Sequence, residues 1–191
     1  MEIAELRQKG IQDMHLLDWN FRVAEDTPYV QMGKRYVNNW KQVKAENLGL
    51  LFWGDVGTGK SFLAACIANG LLDQGVSVMM TNFTRILNKL SDLQVKERSQ
   101  FISDFGKVDL LIIDDLGTEI TNTFVASQLF SCLNERGLRK KAMIISTNLS
   151  LEELRDRYSD RIFSRITSSF SLCKLTGQDI RICKKRNRQR Q

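Results

Sequence analysis

The segment Gly54-Asp55-Val56-Gly57-Thr58-Gly59-Lys60-Ser61 matches every fixed position of the phosphate-binding loop pattern G-x-x-x-x-G-K-[ST]. An apolar run over 48–53 precedes the segment as a strand would, and apolar residues spaced four apart follow it over 63–71 as in a helix. In that setting the glycines let backbone N–H groups converge on anionic oxygens, and the helix N-terminus faces the same charge. An ordinary glycine-rich turn does not account for Lys60 and Ser61 at the helix start. The segment therefore predicts an α/β fold that binds a nucleotide.

The residue types of this loop assign roles toward ATP and Mg²⁺. Lys60 is expected to reach the β- and γ-phosphates, and the Ser61 hydroxyl is expected to ligate Mg²⁺. The residues predicted to bind the nucleotide are Gly54, Asp55, Val56, Gly57, Thr58, Gly59, Lys60, Ser61 and Phe62.

Strand and helix patterns alternate beyond the loop, which favours a parallel sheet covered by helices on both faces. After the strand at 48–53, further strands are predicted at 76–80, 108–114, 142–146 and 170–175. Helices are predicted from Lys60 to a stop at Gly75, over 83–93, from Thr121 or Asn122 to Gly137, and in pieces over 149–166. A further helix is expected around 30–43, after a loop-like stretch that contains Pro28. We predict a three-layer α/β/α phosphate-loop domain with a five-stranded parallel sheet.

Two carboxylates follow the apolar stretch Leu110–Ile113, at the end of a predicted strand. Ligands of open α/β sheets bind at the carboxyl edge, where the phosphate loop also begins. We expect Asp114 to bind Mg²⁺, through water, and to stay ionised beside Mg²⁺ and Lys60. Asp115 is then placed to orient or deprotonate an attacking water. The structural alternative is a pair of acids that only caps the strand.

A second buried strand ends in polar side chains at Ser146-Thr147-Asn148. An asparagine at the tip of a neighbouring strand can donate a hydrogen bond to a γ-phosphate or to the attacking water. An asparagine that simply forms the turn after a strand is the common alternative. Asn148 is therefore a candidate whose role depends on the resemblance described below.

Arginines recur every four residues at Arg157, Arg161 and Arg165, which predicts one helical face. Such a face repels itself unless an anion is supplied, and ATP on a neighbouring subunit would supply it. An arginine that reaches a transferring phosphoryl group accelerates the reaction by about 10³–10⁵. The alternative is an intramolecular salt-bridge face that uses the acids of the same segment, Glu152, Glu153, Asp156 and Asp160.

Charge and composition exclude several classes of function. Residues 181–191 hold six of the 28 basic residues and no acid, so the remaining 22 balance the 22 acidic ones and the net charge of +6 lies in the tail. Such a tail favours a polyanion, or else it only keeps the domain soluble. The single histidine, His15, leaves almost no material for a histidine-based dyad or metal site.

The cysteine pattern and the apolar runs point to a cytoplasmic protein with no membrane contact. The cysteines never approach C-x-x-C spacing, so we expect reduced, mostly buried thiols: Cys66, Cys132, Cys173 and Cys183. No signal peptide is visible, and the apolar runs are far shorter than a membrane span.

Taken together, these motifs resemble the AAA+ ATPases, and more narrowly the DnaC/DnaI-type replicative helicase loaders with their IstB-like relatives. The resemblance covers roughly residues 16–181, beginning with Leu17-Asp18-Trp19-Asn20-Phe21 upstream of the phosphate loop. It continues through the acidic strand at 112–117 and Ser146-Thr147-Asn148-Leu149, and it closes with Arg161-Ile162-Phe163-Ser164-Arg165 and Gly177-Gln178-Asp179-Ile180-Arg181.

The resemblance implies roles for further residues. Asn148 matches the sensor-1 residue, Arg165 matches the arginine finger that acts on ATP of the adjacent subunit, and Arg181 matches a sensor-2-like arginine near the γ-phosphate. The helix at 83–93 lies where the family faces DNA, so Arg85, Lys89 and Lys96 are candidate backbone contacts, although a plain amphipathic helix fits as well. Asp114-Asp115 departs from the Asp-Glu of many AAA+ proteins and implies slow hydrolysis.

The resemblance also implies a division of the chain. We expect an N-terminal arm and helix over 1–45, an ATPase core over 46–181 and a basic tail over 182–191. With about ten residues after Arg181 no helical lid domain is expected, and the usual N-terminal helicase-binding region is missing, as in a truncated chain or a short variant.

The function implied is an ATP-controlled accessory of DNA replication that self-associates through its ATP sites and binds single-stranded DNA and a replicative DNA helicase. A helper ATPase for transposition, of the IstB type, uses the same machinery and stays open. A small nucleotide kinase would also fit the length and the loop, but no second acceptor site or arginine-bearing lid insertion is evident. A nucleic-acid-binding module with a vestigial ATPase would explain the basic tail.

Overall fold

Five parallel strands form the sheet at the centre of the computed structural model, which describes residues 3–11 and 13–177. The strands are β1 (Gly49–Trp53), β2 (Val78–Asn82), β3 (Leu110–Leu116), β4 (Met143–Thr147) and β5 (Phe170–Lys174). Their order across the sheet is β2-β3-β4-β1-β5, and every pairing is parallel. This sheet confirms the predicted fold class. The strands lie within about two residues of their predicted positions.

Nine α-helices and one 3₁₀ helix surround the sheet in the described residues. The helices are α1 (Ile3–Gly10), α2 (Pro28–Asn38), α3 (Trp40–Glu46), α4 (Lys60–Leu72), α5 (Phe83–Asp92), α6 (Val95–Asp104), α7 (Thr123–Leu138), α8 (Leu151–Tyr158) and α9 (Asp160–Ser169). The 3₁₀ helix spans Met14–Asp18.

Alternation along the strands divides the core into two layers. Leu50 and Phe52 of β1 pack with α1 to α4 on one face, whereas Leu51 packs with α5 to α9 on the other. The connection from β1 to β2 crosses the first face, and the three connections that run back across the sheet cross the second. This division is what right-handed crossovers require. Strands β1 and β4 are neighbours in the sheet. The loops that follow them lead to opposite faces, and this leaves a crevice between the loops at the carboxyl edge.

Capping residues fix several helix ends. After α4, Gly75 adopts a left-handed φ of 75°, and its N–H donates to the Leu72 carbonyl while the Val76 N–H donates to the Leu71 carbonyl. These two bonds form the Schellman motif that a glycine at this position predicts. At the start of α7 it is the Asn122 side chain, not Thr121, that accepts the backbone N–H of Val125.

Other elements differ from the sequence prediction. The helix expected around 30–43 is two helices with a break at Asn39, and it begins earlier, because Thr27 caps it and Pro28 occupies its first turn. Helix α6 was not predicted, although Gln94 and Glu97 form a capping box at its start. The segment 149–166 is helical in pieces, as predicted, and the break lies at Ser159, where φ is 84°.

A buried arginine closes the amino edge of the sheet. The guanidinium of Arg136 donates to the carbonyls of Phe105 and Val108 at 2.7 Å each, to that of Asp109 at 2.9 Å, and to that of Ala142. Burial lowers the pKa of Arg136 to about 10, so it stays charged at neutral pH. Arg136 therefore satisfies carbonyl groups that the strand starts leave unpaired.

Asp109 contributes stability that depends on pH. Burial raises the pKa of its carboxyl, but hydrogen bonds and the charges of Lys141 (2.8 Å) and Lys44 (2.9 Å) outweigh burial and bring the pKa to about 2. Because the folded pKa lies below the ordinary value of 3.8, this stabilisation is complete above about pH 4 and is lost as the pH falls toward 2.

Replacing Asp109 with asparagine is therefore expected to lower the free energy of unfolding by about 1–2 kcal/mol at pH 7. Urea unfolding of both proteins at pH 7 and pH 2.5 measures the effect. A difference between the two proteins that is as large at pH 2.5 as at pH 7 would contradict the assignment.

The described cysteines are free thiols, as their spacing predicts. Cys66 and Cys132 are buried free thiols and Cys173 is a partly buried one, and burial raises the pKa of Cys66 and Cys132 to about 12 each. Cys183 lies outside the described residues. None of the helices in the described part of the chain combines the length and apolar composition that a membrane span requires.

Candidate nucleotide-binding site

The phosphate loop connects the carboxyl end of β1 to the first residue of α4. Gly57 and Gly59 adopt left-handed φ values of 82° and 93°, which a side chain would strain. The buried Lys60 ammonium lies inside this turn and donates to the carbonyls of Gly54 at 2.7 Å and Asp55 at 2.6 Å. The loop therefore holds a positive charge and the N-terminus of a thirteen-residue helix at one point.

Close packing against the chain after β5 fixes the first glycine of the loop. A Cβ on Gly54 would overlap the carbonyl oxygen of Leu175. The Leu175 N–H in turn donates to the Trp53 carbonyl at 2.8 Å. The loop is thus held on the side of β5 as well as by β1.

Asp114 contacts the residue with which it is predicted to share Mg²⁺. The Ser61 hydroxyl hydrogen-bonds the Asp114 carboxylate, and the Ser146 hydroxyl from β4 donates to Oδ1 of the same group. Burial raises the pKa of Asp114 above its ordinary value, and these hydrogen bonds offset only part of that effect. That Mg²⁺ and Lys60 together keep this carboxyl ionised when the nucleotide is bound stays a prediction.

Strand β3 carries a bulge where the acid pair lies. Ile113 pairs with Ile145 and Leu116 with Thr147, so β3 advances three residues while β4 advances two. Asp115 takes the left-handed φ of 57° at this point, and its N–H donates to Ser146 Oγ at 2.9 Å. Strained backbone of this kind is concentrated at functional sites.

The bulge brings the two strand tips together as the sequence predicts. The side-chain amide of Asn148 donates to Asp115 Oδ1 at 2.8 Å. The phosphate loop, the acid pair Asp114-Asp115 and Asn148 therefore lie together at the carboxyl edge of the sheet.

The chemistry of these donors fits Mg²⁺ that is held largely by a nucleotide. Mg²⁺ in such sites takes one or two protein oxygens together with phosphates and water. Ser61 and Asp114 supply a hydroxyl and a carboxylate in contact with each other. Within 3–11 and 13–177, no group of three His, Cys, Asp or Glu side chains could hold a metal ion by itself.

The arginine-rich segment does not form the single helical face that was predicted. Its break at Ser159 places Arg157 on α8 and the other two on α9. Arg157 binds the loop after β3, donating to the Glu119 carbonyl at 2.5 Å and to Thr121 Oγ1 at 2.9 Å. In the same loop the buried Glu119 accepts the Tyr158 hydroxyl and the Gly117 N–H.

Arg161 and Arg165 share the ring of Phe130 on α7, and Arg165 also donates to Asn134 Oδ1 at 3.0 Å. The salt-bridge alternative does not describe them: in the described part of this segment the ion pair is Arg155–Asp160, at 2.5 Å. Arg165 lines a small cleft with the first residues of β1, β4 and β5, at the amino edge of the sheet. It therefore lies away from the phosphate loop of its own chain.

The remaining predicted residues fall into three groups. Arg181 and the basic tail lie outside the described residues. Arg85 is engaged, because its guanidinium pairs with Asp13 at 2.6 Å. Lys89 and Lys96 line an open groove between α5 and α6.

Two residues of the site were missed from the sequence. Ser146 joins both aspartates, and Phe130 carries both α9 arginines. A hydroxyl inside the apolar strand Ile144–Ser146 was the available signal for Ser146. For Phe130 there was none, because its position depends on how α7 packs on α9.

The chain is similar in sequence to known proteins. The model of the family described as IstB-like ATP binding protein matches residues 1–187. The replicative helicase loader DnaC of Escherichia coli (strain K12) is 30% identical over 125 residues, which are 64% of this chain and 51% of that protein. A protein of Sinorhizobium fredii named as an insertion sequence ATP-binding protein, y4iQ/y4nD/y4sD, is 35% identical over 104 residues, 52% of this chain and 34% of that protein.

Among solved structures, that of the DnaC helicase loader superposes with a TM-score of 0.76 at 20% identity, over 86% of this chain and 100% of that chain. At this identity the likeness shows the fold alone, an α/β core with a parallel sheet. The chain spans about half the length of the DnaC relative and a third of the insertion-sequence relative.

Proposed function

The chain belongs to the family of IstB-like ATP binding proteins, and we propose that it is an ATPase that assists DNA replication by loading a replicative helicase. The observation that carries this proposal is the convergence of the phosphate loop, Asp114, Asp115 and Asn148 at one sheet edge, while Arg165 lies elsewhere. Because Arg165 lines a cleft at the opposite edge of the sheet from this site, it would complete the site of a second subunit and not that of its own chain. The resemblance to DnaC supports a replicative helicase as the partner and the cytoplasm as the location.

In the proposed mechanism each residue acts at one part of bound ATP. Lys60 and the N-terminus of α4 bind the β- and γ-phosphates, and Ser61 and Asp114 hold Mg²⁺. Mg²⁺ supplies positive charge that neutralises the phosphate oxygens. Asp115 accepts the proton of the attacking water, and Asn148 orients Asp115 through their hydrogen bond.

Arg165 of a second copy stabilises the charge that develops on the transferring phosphoryl group. Arg181 is assigned to the γ-phosphate by the family resemblance. Because the γ-phosphate is contacted from both subunits, its presence favours assembly and its loss favours release. Assembly on single-stranded DNA would then couple nucleotide state to holding or releasing the helicase.

A transposition helper of the IstB type is the second candidate, and the similarity to the insertion-sequence protein favours it. Both candidate functions use the same ATP site, so the protein that this chain binds, a helicase or a transposase, distinguishes between them. The position of Arg165 disfavours a nucleotide kinase. ATP consumption that depends on an added nucleoside would instead favour a kinase. A nucleic-acid-binding module with a vestigial ATPase would bind DNA without consuming ATP.

The partner is tested by sedimentation of this chain with the replicative helicase of its own organism, in ATP and in ADP. A complex that forms in ATP and dissociates in ADP is the expected result for a loader. ATP-dependent binding to a transposase, with no complex with the helicase in either nucleotide, would move the protein to the transposition class.

A further inference from the structure

Two arginines of α9 stack on one aromatic ring of α7. The guanidinium carbon of Arg161 lies 4.3 Å from the centroid of the Phe130 ring, and that of Arg165 lies 5.0 Å from it. The arginines are four residues apart, so both project from the same side of α9. Phe130 is half-buried, and it packs against the layer formed by α5 to α9.

Neither guanidinium is neutralised by a carboxylate within the described residues. The hydrogen-bond partner of Arg165 is the neutral amide oxygen of Asn134, and Arg161 is exposed. The nearest acid in sequence, Asp160, is paired with Arg155 instead. Two like charges on one ring repel each other, and the ring quadrupole compensates only partly.

This arrangement holds the charges in place without cancelling them. An aromatic ring restrains the plane of a guanidinium, and an amide oxygen fixes one of its nitrogens, but neither carries a negative charge. Paired planar guanidiniums are well suited to a polyphosphate, whose oxygens accept two parallel hydrogen bonds.

The position of the pair determines whose polyphosphate it can reach. Arg165 lines the cleft at the start of β1, whereas the phosphate loop follows the end of β1. A five-residue strand separates these points by about 13 Å. The anion therefore comes from outside this chain.

We infer that Phe130 is a positioning residue that presents Arg161 and Arg165 together to the nucleotide triphosphate bound by a second copy of this chain. Asn134 also positions Arg165, because its side-chain oxygen accepts a hydrogen bond from the guanidinium. The inference rests on the proposed function, because it requires ATP at a subunit interface.

Replacing Phe130 with leucine keeps an apolar side chain and removes the ring. We expect kcat for ATP to fall about tenfold while the Kd for ATP is unchanged, and we expect Phe130→Tyr to stay near the wild type. Phe124 lies on the same helix as Phe130 and makes a similar contact with Arg98 of α6, so Phe124→Leu is the matched control. A Phe130→Leu variant with wild-type kcat would overturn the inference.

Replacing Asn134 with aspartate tests the charge directly at almost constant shape. The new carboxylate would pair with Arg165, so kcat is expected to fall by at least tenfold, and further than in Asn134→Ala. An Asn134→Asp variant as active as the wild type would overturn the inference.

Mixing subunits separates positioning from misfolding. Phe130→Leu subunits keep an intact ATP site, so added Asp115→Asn subunits, which keep their arginines, are expected to restore part of the turnover. If Arg165→Ala is restored in this way and Phe130→Leu is not, Phe130 is structural and the inference fails alone. If Arg165→Ala is not restored either, the proposed interface fails, and the inference fails with it.

Discussion

Replacing Lys60 with alanine is expected to weaken ATP binding by at least about 100-fold and to abolish turnover. The ammonium lies within the loop at 2.7 Å from the Gly54 carbonyl and 2.6 Å from the Asp55 carbonyl, buried from solvent. A phosphate in the loop would replace these neutral acceptors with charged ones, whose hydrogen bonds are about twice as strong. Losing about 3 kcal/mol of such interaction corresponds to roughly a 100-fold change in Kd.

Isothermal titration with ATP and Mg²⁺ measures this loss, and phosphate release measures turnover. Lys34→Ala, which removes a surface lysine paired with Asp26, is the matched control and is expected to bind as the wild type does. Thermal unfolding without nucleotide shows whether Lys60→Ala remains folded. A folded Lys60→Ala protein that hydrolyses ATP normally would remove the phosphate loop from the mechanism.

Replacing Arg165 with alanine is expected to lower kcat by about 10³ while leaving ATP binding nearly unchanged. The reason is geometric, since Arg165 stacks on Phe130 and lies in the cleft at the amino edge of the sheet. Because Arg165 lies away from the phosphate loop of its own chain, we expect it to act on the phosphate of another copy. Truncation therefore disables the neighbour's site and spares the site of its own chain.

Mixed subunits test whether Arg165 acts on a neighbour. Asp115→Asn subunits are expected to be inactive at their own site but to keep Arg165, so a mixture with Arg165→Ala subunits is expected to regain part of the activity. No recovery at any ratio would show that the arginine does not act between subunits.

Local signals predicted most of the fold. A glycine at position 75 was sufficient to predict the end of α4, because the left-handed turn there depends on neighbouring residues alone. Strand positions were predicted within two residues, since buried parallel strands are continuous apolar runs. The position of the break at Ser159 was not predicted, because the arginine spacing continues through it and a serine with φ of 84° is uncommon.

The candidate site was predicted as a set of residues but not as a geometry. Asn148 and Asp115 were expected at one edge, and they share a hydrogen bond of 2.8 Å. The bulge that turns Asp115 toward Asn148 depends on Ser146 of the adjacent strand, and strand adjacency is not visible in a single sequence. Arg161 and Arg165 were predicted to bind an anion. The aromatic ring on which both stack belongs to α7, and this contact was not predicted.

We propose that ATP is hydrolysed between subunits assembled on DNA. ATP turnover measured against protein concentration, with and without single-stranded DNA, tests it most directly. We predict turnover that rises faster than linearly with protein concentration and increases further when DNA is added. Turnover that is strictly linear in protein concentration and indifferent to DNA would mean a self-contained active site, and it would contradict the account.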